Sequence, residues 1–546
     1  MSQAYDNNSP KRKEKEKRRP RVTRPSPRAF FLLWLPSIFA AVAVLLPIVY
    51  LLIRAFSGGL SPWAFLLRSQ TLTVLARTLW LGAWVTLASI IIALPIAWLT
   101  VRTDLPQRRL WAILTPLPLV IPSYVGAYLF ASALGPRGLL QGLLEEPFGI
   151  TRLPDIYGFP GALLVLTLLN YPFVLLSLRA ALHRMDPALE EASRSLGENN
   201  WRTFWRVIFP QLRPAMASGG LLVLLYVLRD FGAVSIMRYD TFTRVIYIQY
   251  QNSFDRITAA ALAIVLVALS ISVLIAEYRA RGRAKLERNP RATRLPKLIE
   301  LGRWRWPALL LCATVVTWAL LLPAGILSFW LLRGLADGGA IANLLPALKN
   351  SVFAAGLAAG IAVLAAIPVV ILDVRRPSWI SRVIERSTYM GFALPGIVIA
   401  LALVFFGANL TPFLYQTLPM LLFAYMILFL PETVGSLRAS LLQVHPSLEE
   451  AASSLGKKPA EVFRRITFPL IRPGLAGGAA LVFLTSMKEL PATLILAPTG
   501  FKTLSTSIWA AVSEAFFAQA AAPALLLIIA SSVPLAILLH RERRER

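Results

Sequence analysis

Long apolar runs, rather than short alternating ones, set the pattern of this chain. Twelve of them occur, at residues 29–53, 72–101, 110–133, 160–182, 215–238, 257–277, 307–332, 351–372, 389–407, 417–441, 474–497 and 519–539. A helix needs about 20 mostly apolar residues to cross a bilayer core, so each run is long enough to span. The pattern predicts an all-α polytopic membrane protein with about 12 transmembrane helices. Pro116, Pro118 and Pro122 interrupt the third run and Pro395 the ninth; spanning helices tolerate proline where neighbours satisfy the freed carbonyls. The first run follows a 28-residue basic tail and is too long for a signal-peptide core, so it reads as an uncleaved helix.

Composition agrees. The 546 residues are 56% hydrophobic and 15% charged, with a mean hydropathy of +0.62, against about 45–50% and about 25% in soluble domains. A water-soluble enzyme, a disordered chain and a secreted disulfide scaffold are excluded. One cysteine, Cys312, allows no internal disulfide and no cysteine metal site. The formal charge of +28 raises the question of nucleic acid. Its distribution answers that: with the N-terminus inside, 43 of the 56 Lys and Arg fall on one side, in segments 1–28, 102–109, 179–213, 279–305, 375–386, 438–472 and 541–546. This positive-inside bias predicts cytoplasmic N- and C-termini and contact with membrane lipid, with no nucleic-acid partner.

The chain also repeats itself. Segments 186–214 and 445–473 share 14 of 29 residues at an offset of 259, and upstream Pro95 and Pro122 match Pro368 and Pro395 at an offset of 273. The difference falls in the loop near 135–158, so an insertion there separates two otherwise matched units. Six crossings per unit bring both copies in from the same side, which makes the repeats parallel. The organisation read from this is a basic cytoplasmic tail at 1–28, a first repeat at 29–278, a cytoplasmic linker at 279–306, a second repeat at 307–540 and a basic tail at 541–546.

The repeated segment carries the candidate chemistry. Glu190, Glu191, Ala192 and Gly197 in one copy answer Glu449, Glu450, Ala451 and Gly456 in the other, followed by Phe209-Pro210 and Phe468-Pro469. Pro187 and Pro446 suit a helix start, the glutamates suit its first turn, and the glycine suits a left-handed end. This pattern resembles the EAA loop of ABC importer permeases, in two MetI-like repeats on one chain. The resemblance implies that each loop forms a coupling helix docked on a cytoplasmic ATPase subunit, two copies in all, with a periplasmic substrate-binding protein delivering the cargo at a bacterial inner membrane. Arg229-Asp230 with residues 231–236, and Lys488-Glu489 with Pro491 and Thr493, look like fused ferric-iron permeases in particular. Fused permeases for thiamine, phosphonate and other small solutes share much of the pattern.

No Gly-x4-Gly-Lys phosphate loop occurs, so ATP hydrolysis is expected on a separate polypeptide, with no catalytic residue, cofactor or metal site on this one. A rival class, the ion-coupled secondary transporter, also uses six-plus-six helices but has no use for the duplicated loop. Arg229, Asp230, Lys488 and Glu489 fall inside predicted helices at matched positions. A charge near a helix centre costs about 2.5–3.5 kcal/mol on insertion scales, which marks them as candidates for the translocation pathway or its gate. Adjacent residues on a helix point about 100° apart, so the expectation is pairing across the repeat axis: Arg229 with Glu489, and Lys488 with Asp230.

Overall fold

The computed structural model describes residues 27–57, 59, 61–252, 256–286, 298–336 and 344–544. Most of the N-terminal tail, the middle of the linker and the last two residues lie outside them. Each apolar run forms a helix, numbered here so that αn and αn+6 are repeat equivalents. They are α1 Pro27–Ser57, α2 Ser69–Arg102, α3 with arms Arg108–Val120 and Ser123–Leu134, α4 Phe159–Arg184, α5 Phe209–Arg229 and α6 Arg256–Leu286. The second set is α7 Gly302–Ala336, α8 Leu344–Arg375, α9 with arms Trp379–Ala393 and Gly396–Leu410, α10 Leu418–Leu441, α11 Phe468–Lys488 and α12 Phe517–Arg544.

α3 and α9 are not straight spans. The chain turns by 95° within α3 and by 107° within α9. Both corners lie at the matched prolines. Proline cannot donate a backbone hydrogen bond and pushes the preceding residue out of helical conformation; Ile121 before Pro122 and Leu394 before Pro395 are extended, with ψ of 121° and 115°. Each corner leaves carbonyl groups without helical partners.

α5 and α11 are shorter than the apolar pattern predicts. They stop at Arg229 and Lys488, and the next residues, Asp230 and Glu489, are extended, with ψ of 129° and 124°. The Asp230 carboxylate accepts from the backbone N–H groups of Ala233 (2.9 Å) and Val234 (3.3 Å), in the short helix Gly232–Ile236. The Glu489 carboxylate accepts from Ala492 N–H (3.1 Å) in Pro491–Leu496, where Pro491 holds the first helical position. Satisfying free N–H groups at a helix start stabilises a break over continuation. Hydrophobicity cannot register this, because both sides of the break are equally apolar.

Within each half, α4 packs on α2 and α5, and α10 packs on α8 and α11. The first helix of each repeat crosses over: α1 packs on α8 and α9, while α7 packs on α2, α3 and α12. Matched hydrogen bonds fix the exchange. Tyr50 Oη donates to the Phe405 carbonyl (3.0 Å), and Trp330 Nε1 donates to Ser132 Oγ (3.1 Å), at repeat-equivalent positions of α9 and α3. The linker re-enters the described residues at 298, where Ile299 bridges Thr103 and Leu301 N–H donates to the Asp104 carboxylate (2.8 Å).

Candidate functional site

The two loop helices are Pro187–Ser195 and Pro446–Ser454. Asp186 and His445 cap them, accepting from the N–H groups of Ala188 (2.9 Å) and Ser447 (3.3 Å). Proline follows each cap at the first helical position. Gly197 and Gly456 end them at φ +84° and +79°, the left-handed conformation that costs a side-chain-bearing residue about 1–2 kcal/mol. The N–H groups of Glu198 and Lys457 return to the Ser193 and Ala452 carbonyls, closing both C-termini in the same way.

Each helix turns one glutamate inward. Glu190 lies 2.6 Å from Arg102, the last residue of α2, whose side chain is only 1% exposed. Burial pushes the Glu190 carboxyl above its ordinary value while Arg102 pulls it back. In the other half Glu449 lies 3.0 Å from Arg375, the last residue of α8, and accepts from Thr467 (2.8 Å); Arg375 also donates to the Val444 carbonyl (3.0 Å). α2 has 34 residues and is therefore about 50 Å long at 1.5 Å per residue, which carries Arg102 past a hydrocarbon core of about 30 Å.

Glu191 and Glu450 point outward instead, as do Ala192 and Ala451. Beside them the helices present bare leucine: Leu196 is 85% exposed and Leu455 82%, with Leu189 and Leu448 near half. Each loop helix thus leaves two leucines exposed at equivalent positions, and exposed apolar patches commonly mark interaction sites. Both loops run into α5 and α11 through a π-helical turn, Phe204–Ile208 and Phe463–Thr467, a distortion that recurs at functional sites.

At the other end of α5 and α11 lies a second matched pair of contacts. Arg229 donates to the carbonyl of Phe392 (3.1 Å), and Lys488 donates to the carbonyl of Leu119 (3.1 Å). These acceptors sit at the proline corners of α9 and α3, so each basic residue reaches the broken helix of the opposite repeat. The expected pairing of Arg229 with Glu489, and of Lys488 with Asp230, is therefore corrected. No such ion pair forms among the described residues, both carboxylates being engaged in capping their own chains, although Arg229 still acts electrostatically on Glu489. Gly396 lies against Glu489, whose Oε1 leaves no room for a Cβ there.

An acid that the motif reading missed interacts with both basic residues. Glu432, in α10, accepts from Thr485 (3.0 Å) and faces Arg229 and Lys488 electrostatically. Its equivalent in the first repeat is Phe173, stacked on Tyr226 at 4.2 Å, and Tyr226 is still 39% exposed. A carboxylate in a membrane helix was itself the available signal. Arg102 and Arg375, at the 273 offset, and Leu196 and Leu455, at the 259 offset, were equally visible as repeated identities. Nothing in the sequence said that the arginines would face the loops or that the leucines would be bare.

Two six-helix repeats, with equivalent loop helices and crossed basic contacts between the halves, define a duplicated polytopic membrane protein. The chain belongs to the family of binding-protein-dependent transport system inner membrane components, whose sequence model matches residues 86–281 and 356–546, once in each repeat. It is the multi-pass inner-membrane permease of an ABC importer. Among its relatives, the Fe(3+)-transport system permease protein FbpB 2 of Haemophilus influenzae is 35% identical over 93% of this chain and 98% of that one. The ferric transport system permease protein FbpB of Actinobacillus pleuropneumoniae is 26% identical over 84% and 69%. The molybdenum transport system permease protein ModB of Escherichia coli is 35% identical over 34% of this chain and 82% of its own, a match about the length of one of the two family segments.

Proposed function

We propose that this permease imports ferric iron, with its loop helices in the cytoplasm docked on two copies of an ATPase, one per loop, and a periplasmic binding protein delivering the cargo to the opposite face. Both termini, the linker at 279–306 and the tails at 1–28 and 541–546 then lie inside. The repeats at 29–278 and 307–540 act as the two halves of a pseudo-dimer. ATP is hydrolysed on the partner, and this chain catalyses nothing.

The observation that carries the reading is the doubled connection of each loop helix, to the end of α2 or α8 in its own repeat and through α5 or α11 to the opposite repeat. A push on the exposed leucines moves a helix whose glutamate is tied to the end of α2 or α8. The same loop continues through a π-helical turn into α5 or α11, whose far end holds a corner of the other half. Closing the ATPase pair therefore pulls on Arg229 and Lys488, and releasing the Phe392 and Leu119 carbonyls lets the halves re-pack. Arg229, Lys488, Asp230 and Glu489 serve as gate residues in this scheme, with Glu432 on the passage between them. Iron as cargo rests on the relative that this chain covers almost end to end.

Reconstitution tests it. Proteoliposomes holding the permease, its ATPase and the binding protein should accumulate radioactive iron only when ATP is supplied. Accumulation of molybdate, thiamine or phosphonate instead would replace the cargo. Uptake driven by an ion gradient without the ATPase would move the protein into the secondary-transporter class.

A further inference from the structure

A cavity of about 690 Å³ opens on the face opposite the loop helices, lined by Arg137, Arg152, Arg238, Tyr157, Ser132 and Phe517. It lies where the first repeat carries its insertion. The repeat equivalents of Arg137 and Arg238 are Leu410 and Ala497, and Arg152 belongs to the inserted segment. The fold's symmetry therefore does not require these three arginines.

Among the described residues no carboxylate pairs with them. No ion pair or side-chain hydrogen bond to Arg137, Arg152 or Arg238 occurs among the described residues; Arg238 lies over the Tyr157 ring at 4.9 Å. Of the nearby acids, Glu145 accepts from Gln141 (2.9 Å), and Asp155 accepts from the Tyr157 N–H (2.9 Å). Arg238 also holds a left-handed backbone conformation, φ +54°, which is unfavourable for a residue of this kind. A fourth arginine, Arg333, sits over Trp330, which in turn bonds Ser132 and packs on Phe517.

Like charges gathered around one cavity repel, and an anion between them reverses the sign of that interaction. Guanidinium groups offer paired N–H donors that match carboxylate and phosphate oxygens. The cavity is within the size range of small-molecule sites. We propose that it binds an oxyanion, a phosphate or carboxylate group, held by Arg137, Arg152 and Arg238, all three of which are exposed at its lining. The proposal is independent of the cargo and of the ATPase docking.

The test uses the full-length permease in nanodiscs. One arm titrates citrate and inorganic phosphate into phosphatidylcholine discs at constant ionic strength set with chloride, read by calorimetry and by the thermal midpoint. A second arm compares phosphatidylglycerol with phosphatidylcholine discs in chloride alone. Saturable binding that weakens at least tenfold in Arg152→Gln/Arg238→Gln identifies a dissolved anion as the occupant. A phosphatidylglycerol-dependent rise in midpoint, lost in the same variant, identifies a lipid headgroup. The exposed pair Arg137→Gln/Arg152→Gln repeats the comparison without touching the left-handed residue. If neither source binds saturably, or if both variants bind as the wild type does, the site does not exist.

Discussion

The two glutamate anchors occupy equivalent positions but are buried to different depths, and the difference is measurable. Replacing Glu190 with Gln leaves Arg102, 1% exposed, facing a neutral group. Its guanidinium makes no hydrogen bond among the described residues, so the ion pair with Glu190 is what compensates its burial. Removing one partner of a buried ion pair costs about 3–5 kcal/mol, because the remaining charge stays desolvated. Replacing Glu449 with Gln has a smaller effect. Arg375 and Glu449 are 15% and 22% exposed, and Arg375 keeps the Val444 carbonyl. A charged hydrogen bond is worth about 1.5–3 kcal/mol, and water can replace part of it. Unfolding in mixed micelles titrated with sodium dodecyl sulfate should therefore show Glu190→Gln as the more destabilising change, with ATPase co-purification falling in the same order. Arg102→Met/Glu190→Leu, which removes both charges, should recover most of the loss, since an apolar pair has no desolvation penalty to offset. Equal effects of the two glutamine variants, or a double variant no better than the single, would falsify the buried-anchor argument.

Other outcomes follow from the same geometry. Leu196→Ser and Leu455→Ser should each weaken ATPase binding about tenfold or more, since burying a leucine contributes about 1.5–3 kcal/mol; permease stability should not change, because both side chains are more than four-fifths exposed. Gly197→Val and Gly456→Val should each cost about 1–2 kcal/mol and Gly197→Asn less. The cost is one of backbone alone, because a Cβ at either glycine meets nothing within 4 Å; equal effects of Val and Asn in the unfolding titration would contradict that. Arg229→Met and Lys488→Met should raise ATP hydrolysis in the absence of the binding protein and lower uptake, with Arg229→Lys intermediate. Wild-type uptake in both methionine variants would show that the crossed contacts hold nothing.

The apolar pattern alone located the twelve helices, because each crossing must cover about 30 Å of hydrocarbon with side chains that tolerate it. The repeat and its loop motif were equally legible, since both copies keep the proline, glutamates and glycine at fixed spacing. Tertiary structure decided what those residues face. The proline corners of α3 and α9 could be suspected from Pro122 and Pro395, but their angle and their exposed carbonyls depend on neighbouring helices. The ends of α5 and α11 were not visible at all: Asp230 and Glu489 break the helix by capping the next one, a local hydrogen bond that hydropathy does not record. For that reason the charges do not pair across the axis. Their carboxylates are spent on backbone N–H groups, and Arg229 and Lys488 are left to reach carbonyls 163 and 369 residues away. Contacts at such separations are set by how two folded halves meet, which no local pattern of residues contains.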